Sequence, residues 1–151
     1  MNYNKETIST IKDDIAPLVT AVYDEVEVDT DKLAFSLDWD SYNKLEQLDM
    51  LHIFTARKQE KLVGFLVMIA TKSLHASNNI VAASDVIYIQ PSERKGNVAK
   101  KFIQYAEKSL ADLGVSAMFI TMKTKAPFDK LLESVGFSNT EKVFQKYIGD
   151  K

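Results

Sequence analysis

The chain predicts a mixed α/β fold in which antiparallel strands lead into a strand–helix–strand crossover. Three observations carry this. Residues 51–57 (LHIFTAR) and 61–70 (KLVGFLVMIA) are β-rich runs joined by the short polar turn Lys58–Glu60, the pattern of a hairpin. The stretch Ala82–Leu113 reads as strand, tight turn and helix: Val86, Ile87, Tyr88 and Ile89 form an apolar run, Pro91 ends it, and Val98, Phe102, Ile103, Ala106, Leu110 and Leu113 return at helical spacing. After Gly114, a natural residue for a helix end, residues 115–123 (VSAMFITMK) supply a further strand.

The remaining elements are placed in chain order. Residues 5–12 (KETISTIK) are read as a first strand. Asp13 or Asp14 is read as an N-cap, with Pro17 in the tolerant first turn, and Ile15, Leu18, Val19 and Val22 on one face of a helix over 14–26. That helix ends in an acidic cluster, Asp24, Glu25 and Glu27, which opposes the helix dipole and could hold an amine. Residues 27–37 are irregular. Asp38 caps a short helix, Trp39–Leu48, whose lone Trp39 suits core or groove wall. Gly64 inside the second hairpin strand marks a bulge or a close approach. His75 lies in the loop 71–79. Pro127 opens a short helix with Phe128, Leu131, Leu132 and Val135 as its buried face, Gly136 ends it, and residues 141–148 (EKVFQKYI) form a last strand.

Bulk properties bound the function. At 151 residues the chain is read as one domain with room for a core. A formal net charge of −2 gives no basic signature for nucleic acid, and no run is long and apolar enough for a membrane span. There is no export pattern at the start and no cysteine, so disulfides, thiolate-held metal and thiol catalysis are excluded and a cytoplasmic location is expected. Two histidines, His52 and His75, are too few for a His-rich metal site. The feature that carries chemistry is the turn 92–97 (SERKGN). It delivers a helix N-terminus from the end of a strand, and the first-turn N–H groups have no intrahelical partner. With Arg94 and Lys95 before it, this is a place for a phosphate or pyrophosphate.

This order of elements resembles the GNAT N-acetyltransferase superfamily over nearly the whole chain. The superfamily's cofactor motif, Gln/Arg-x-x-Gly-x-Gly/Ala, corresponds to Arg94-Lys95-Gly96-Asn97-Val98-Ala99, with Asn97 where the central glycine stands. The run LHIFTARKQEKLVGFLV, then His75, Asp85, IYIQPSER and the ending GFSNTEKVFQKYI resemble a group common in bacteriophage genomes, from which a phage origin is expected.

The resemblance implies a mixed central sheet splayed between the fourth and fifth strands, with acetyl-CoA as co-substrate and no metal. Its pantetheine arm would pair with the backbone of Ile87, Tyr88 and Ile89. Its pyrophosphate would sit on the N–H groups of Arg94, Lys95, Gly96, Asn97, Val98 and Ala99. Asp85 is the candidate base, with His75 to assist or replace it, and Glu25 and Trp39 are candidates for holding the acceptor. The position where many members carry a tyrosine acid, four residues before the Gly of Gly-Phe, is Leu132, which leaves water, Tyr88, Tyr105 or Tyr147 to protonate the leaving thiolate. Two functions follow. One is acetyl transfer to a primary amine on a small molecule, a protein or a modified base. The other is a GNAT-fold binding or structural protein without catalysis, acting on a phage or host partner. A homodimer is one option for the assembly.

Overall fold

The computed structural model describes residues 1–149. Its elements are β1 (Asn2–Glu6), α1 (Ile8–Val26), α2 (Trp39–Gln47), β2 (Leu51–Lys58), β3 (Lys61–Lys72), β4 (Ile80–Ile89), a single 3₁₀ turn at Pro91–Glu93, α3 (Val98–Asp112), β5 (Val115–Phe119) and α4 (Asp129–Ser134). The five strands form one sheet in the order β1-β2-β3-β4-β5. The first four are antiparallel to their neighbours, and β5 joins β4 in parallel. Both faces of β2 and β3 are covered, which is why these strands read as near-continuous apolar runs. On one face Phe102, Ala106 and Leu110 of α3 pack on Phe54, Leu66 and Met68. On the other, Ile8, Ile11, Ile15 and Val22 of α1 pack on Ile53, Phe65 and Val67.

The hairpin, α2 and α3 stand where expected. Asp38 is the N-cap of α2, its Oδ1 accepting from the Ser41 N–H at 3.0 Å. Gly64 marks a close approach: a Cβ there would meet the Tyr88 carbonyl at 3.0 Å and Ile89 Cγ1 at 3.1 Å.

Several expectations are corrected. The strand after Gly114 is Val115–Phe119, not 115–123, because its ladder with β4 stops at Ala83↔Phe119, and the short helix opens at Asp129 after the N-cap Phe128, past Pro127. The first strand is Asn2–Glu6, not 5–12, because Ile8, Ile11 and Ile15 already follow the helical spacing and bury one stripe. Consequently α1 starts at Ile8, with Thr7 as N-cap in place of Asp13 or Asp14, and its first N–H donates to Glu46 Oε1 of α2 at 2.8 Å. Pro17 lies inside this helix, where the lost N–H and ring clash cost about 3 kcal/mol. Buried anchors on both sides, Ile8 to Ile15 and Val22, hold the helix through it. Finally, residues 141–148 form no strand. Val143 and Phe144 are exposed and the segment finds no ladder partner, so the sheet ends at β5.

The β1 end is locked to the sheet by charge. Arg57 of β2 donates to both carboxylate oxygens of Glu6, at 2.8 and 3.0 Å, and also reaches Asp14 Oδ2 of α1 at 2.8 Å. These bonds from Arg57 hold the Glu6 carboxyl below its ordinary value of 4.5. A depressed carboxylate contributes stability above its unfolded pKa and loses it as pH falls through the folded one. Glu6→Gln should therefore lower unfolding free energy by about 2 kcal/mol at neutral pH. The gap to wild type should close on acidification below pH 4.5, read from denaturant melts along a pH series.

Candidate active site

The site is organised by what happens to β4 at its middle. The β4–β5 ladder runs from Ile80↔Val115 to Ala83↔Phe119 and stops. One further link follows, the Thr121 N–H donating to Ser84 Oγ at 2.9 Å, and then the strands part. From Asp85 to Ile89, β4 keeps its partner β3 on one side only. The Gln90 N–H donates to the Val63 carbonyl at 2.8 Å, and the Tyr88 carbonyl faces Gly64, so Tyr88 and Gln90 turn their main-chain groups toward β3. By alternation the main-chain groups of Ile87 and Ile89 face the open cleft. Tyr88, expected to share in that edge, contributes instead its ring, packed on Phe65 with centroids 5.7 Å apart.

A bulge aims the candidate base. The β3–β4 register passes from Val67↔Val86 to Met68↔Ser84 and skips Asp85. An extra residue at this point puts two consecutive side chains on one face. Asp85 and Val86 both line the cavity under α1, whereas strict alternation would have sent Asp85 to the α3 face with Ile87 and Ile89. There Asp85 Oδ2 accepts from the Tyr42 hydroxyl of α2 at 2.6 Å. Burial first, and then the Asp85 carboxylate, raise the Tyr42 pKa well above its ordinary value, so the phenol keeps its proton and donates. The cavity, about 290 Å³, lies between α1, the segment 27–37, α2 and the sheet.

The turn after β4 is built around Arg94. Its Nε donates to the Ile89 carbonyl at 2.7 Å, its two terminal nitrogens grip Glu25 at 2.8 and 2.9 Å, and its guanidinium lies 5.5 Å from the centre of the Tyr88 ring. The bond from Arg94 lowers the Glu25 pKa, and the same pair raises that of Arg94. Gly96 carries the left-handed backbone at φ +61, while Asn97 sits at φ −102 and needs no such freedom. The glycine one position early thus supplies the turn, and Asn97 at the glycine position is unstrained. No side chain caps the first turn of α3 among the described residues, so the N–H groups at Val98 and Ala99 are open to a ligand. Lys95 is exposed beside them.

The residues singled out in the sequence therefore divide. Asp85 and Trp39 line one cavity, and Ile87, Ile89 and Arg94 to Ala99 form one edge and turn beside it. Glu25 is not in the cavity, because Arg94 holds its carboxylate. His75 is exposed in the hairpin loop 73–79, ten residues before Asp85; that loop enters β4 at Ile80, five residues or about 16 Å of strand away from Asp85. It does not assist Asp85 from there. Leu132, buried in α4, offers no hydroxyl. Tyr105 packs on the α3 face against Tyr3 and Phe54. Tyr147 lies beside Lys32. Tyr42, the partner of Asp85, had only its helical apolar spacing in the sequence to mark it.

The model of the acetyltransferase (GNAT) family matches residues 17–137. No curated protein shows significant similarity to the chain. Among solved structures, an aminoglycoside acetyltransferase from an uncultured soil metagenomic sample, in complex with sisomicin, superposes with a TM-score of 0.75 at 16% identity, covering 99% of this chain and 96% of its own. The ribosomal-protein-alanine N-acetyltransferase from Brucella melitensis biovar Abortus 2308 gives 0.72 at 18% identity, covering 98% and 99%. A predicted acetyltransferase from Clostridium acetobutylicum, solved with acetyl-CoA, gives 0.71 at 13% identity, covering 97% and 95%. These likenesses are of fold.

Proposed function

We propose that this chain, which belongs to the acetyltransferase (GNAT) family, moves an acetyl group from acetyl-CoA to a primary amine by direct attack in a ternary complex. The observation that carries the reading is the juxtaposition at β4. An open strand edge runs straight into an uncapped helix start, and a carboxylate is turned by a bulge into a cavity beside that edge. We read residues 1–151 as one domain.

The residues present fit a coenzyme A ester. The main-chain groups of Ile87 and the Ile89 N–H suit the amides of a pantetheine arm, which would extend the sheet as an added strand, while the Ile89 carbonyl is held by Arg94. The N–H groups from Lys95 to Ala99, at the positive end of α3, suit a pyrophosphate. When bound, the thioester supplies the activated acetyl group. The Ile89 N–H, pointing into the cleft, can donate to the thioester carbonyl and stabilise charge that develops on it. Arg94, with its fork filled by Glu25, holds the turn in shape by clamping the Ile89 carbonyl and the end of α1.

Asp85 receives the acceptor. A primary amine with a pKa near 10 is an ammonium at neutral pH, and attack requires the neutral form. Asp85 Oδ2 is held by Tyr42, while Oδ1 has no donor among the described residues, and the residue is exposed where it lines the cavity. It can accept a hydrogen bond from the ammonium and pass its proton to solvent. Water protonates the leaving thiolate, since Leu132 cannot and Tyr105 lies across the sheet.

Tyr42 acts through Asp85 as a positioning residue. Tyr42→Phe should lower kcat about fivefold, the loss of one aligning hydrogen bond to a charged group, while leaving the KM for acetyl-CoA unchanged. The test of the whole reading is thiol release from acetyl-CoA with a panel of primary amines. Amine-dependent release supports it. The second reading, a GNAT-fold binding protein without catalysis, draws on Leu132 and on the filled Arg94 fork. It requires that no amine raises release above the rate of spontaneous hydrolysis.

A further inference from the structure

We infer that the acceptor is a small monoamine carried on an aromatic or branched-alkyl body, and that polycationic amines are poor substrates. The inference rests on the acetyl-transfer reading and adds the chemistry of its second substrate.

The cavity that Asp85 enters is apolar in depth. Ile15, Val19 and Val22 of α1 form one wall, and Phe65, Val67 and Val86 of the sheet form the floor. Trp39 and Phe35 stand at its side, Phe35 tilted on Tyr23 with centroids 5.2 Å apart. A volume of about 290 Å³ sits at the lower end of small-molecule sites, enough for one ring or a short branched chain and too small for a multi-ring sugar.

Charge supports the same choice. Of the acids near the cavity, Glu27 is bonded to Lys123 Nζ at 3.1 Å, and Glu25 is committed to Arg94. The Lys125 ammonium takes the Glu27 carbonyl at 2.9 Å. Asp85 therefore stands as the one carboxylate lining the cavity, among the described residues, that no cation already neutralises. One such charge balances one ammonium. Asp85 is itself exposed, so the body of the ligand and not its charge enters the apolar cavity; a ligand with several ammonium groups would leave the others in solvent or beside Lys123 and Lys125, with no carboxylate to gain and little apolar surface to bury.

The reaction balances with this substrate. The ammonium gives one proton to solvent by way of Asp85. The nitrogen forms a C–N bond as the C–S bond of the thioester breaks, and its second proton passes to water, which gives a proton to the leaving thiolate, so that one proton in all is released to solvent. The products are an N-acetylated amine and coenzyme A.

Trp39, the single tryptophan of the chain, lines the cavity and reports its occupancy without any need for turnover. Two readouts should be taken on the intact protein with phenethylamine, ethanolamine and kanamycin: Trp39 fluorescence, and thiol release from acetyl-CoA. The expected result is saturable change with phenethylamine at a concentration at least tenfold below that of ethanolamine, with kcat/KM at least tenfold in its favour over both other amines. Turnover of kanamycin or ethanolamine equal to or better than that of phenethylamine overturns the inference and leaves acetyl transfer standing. Saturation of Trp39 by phenethylamine with no thiol release from any amine supports the cavity's ligand class and overturns acetyl transfer instead. No fluorescence response to phenethylamine at millimolar concentration overturns the inference directly.

Discussion

Asp85→Asn should lower kcat/KM for the amine about a hundredfold and leave acetyl-CoA affinity unchanged, since a positioned base contributes roughly that much. The asparagine amide keeps the size of the side chain and can still meet Tyr42, so the bulge and the cavity wall persist. What it lacks is the negative charge to attract an ammonium and the capacity to take its proton. Paired measurements of turnover and of acetyl-CoA binding separate these effects. Unchanged turnover in the variant would remove Asp85 from the chemistry.

Arg94→Ala should act on the other substrate. Its guanidinium joins two separate parts of the chain: the end of β4, at the Ile89 carbonyl and the face of Tyr88, and the C-terminal turn of α1. Its loss frees the turn that presents the N–H groups of Lys95 to Ala99. Acetyl-CoA affinity should fall about thirtyfold, equivalent to ~2 kcal/mol. Stability should fall by only about 1–2 kcal/mol, because the pair with Glu25 is partly exposed and screened. Arg94→Lys should not restore affinity, since an ammonium cannot bridge the Ile89 carbonyl and both Glu25 oxygens at once. Affinity unchanged in Arg94→Ala would show that the turn holds its shape without this clamp.

Much of the fold was legible because it rests on local pattern. The hairpin of β2 and β3, the Asp38 cap and the α3 stripe from Phe102 to Leu110 each lie within a short window and stand as the spacing predicts, whereas Leu113 falls past the helix end and is exposed. The start of α1 was not, because Pro17 is a first-turn signal by composition and an interior residue in fact. Only the anchoring of Ile8, Ile11 and Ile15 on the sheet makes that arrangement stable. The final run, EKVFQKYI, has the apolar spacing of a strand, but a strand exists only where an edge accepts it, and local residues do not report that.

The candidate site shows the same division. The turn 92–97 and its helix start could be read directly, and the geometry there follows. The pairings could not. Tyr42 meets Asp85 across 43 positions, and Arg94 meets Glu25 across 69. The bulge that sends Asp85 into the cavity is a matter of register between β3 and β4, and the sequence of β4 alone, read by alternation, points that side chain to the wrong face. Glu25 illustrates the cost. As part of an acidic cluster at a helix end it suggested an amine site, yet its carboxylate is bound to Arg94 of the turn after β4.

Calorimetric titration of acetyl-CoA into the purified protein, with coenzyme A as comparison, tests most directly whether the open β4 edge and the start of α3 form an acyl-CoA site. Saturable one-to-one binding at micromolar ligand is expected, retained in Asp85→Asn and weakened in Arg94→Ala. Absence of binding at millimolar acetyl-CoA would contradict the assignment of that edge and turn, and with it the acetyl-transfer function.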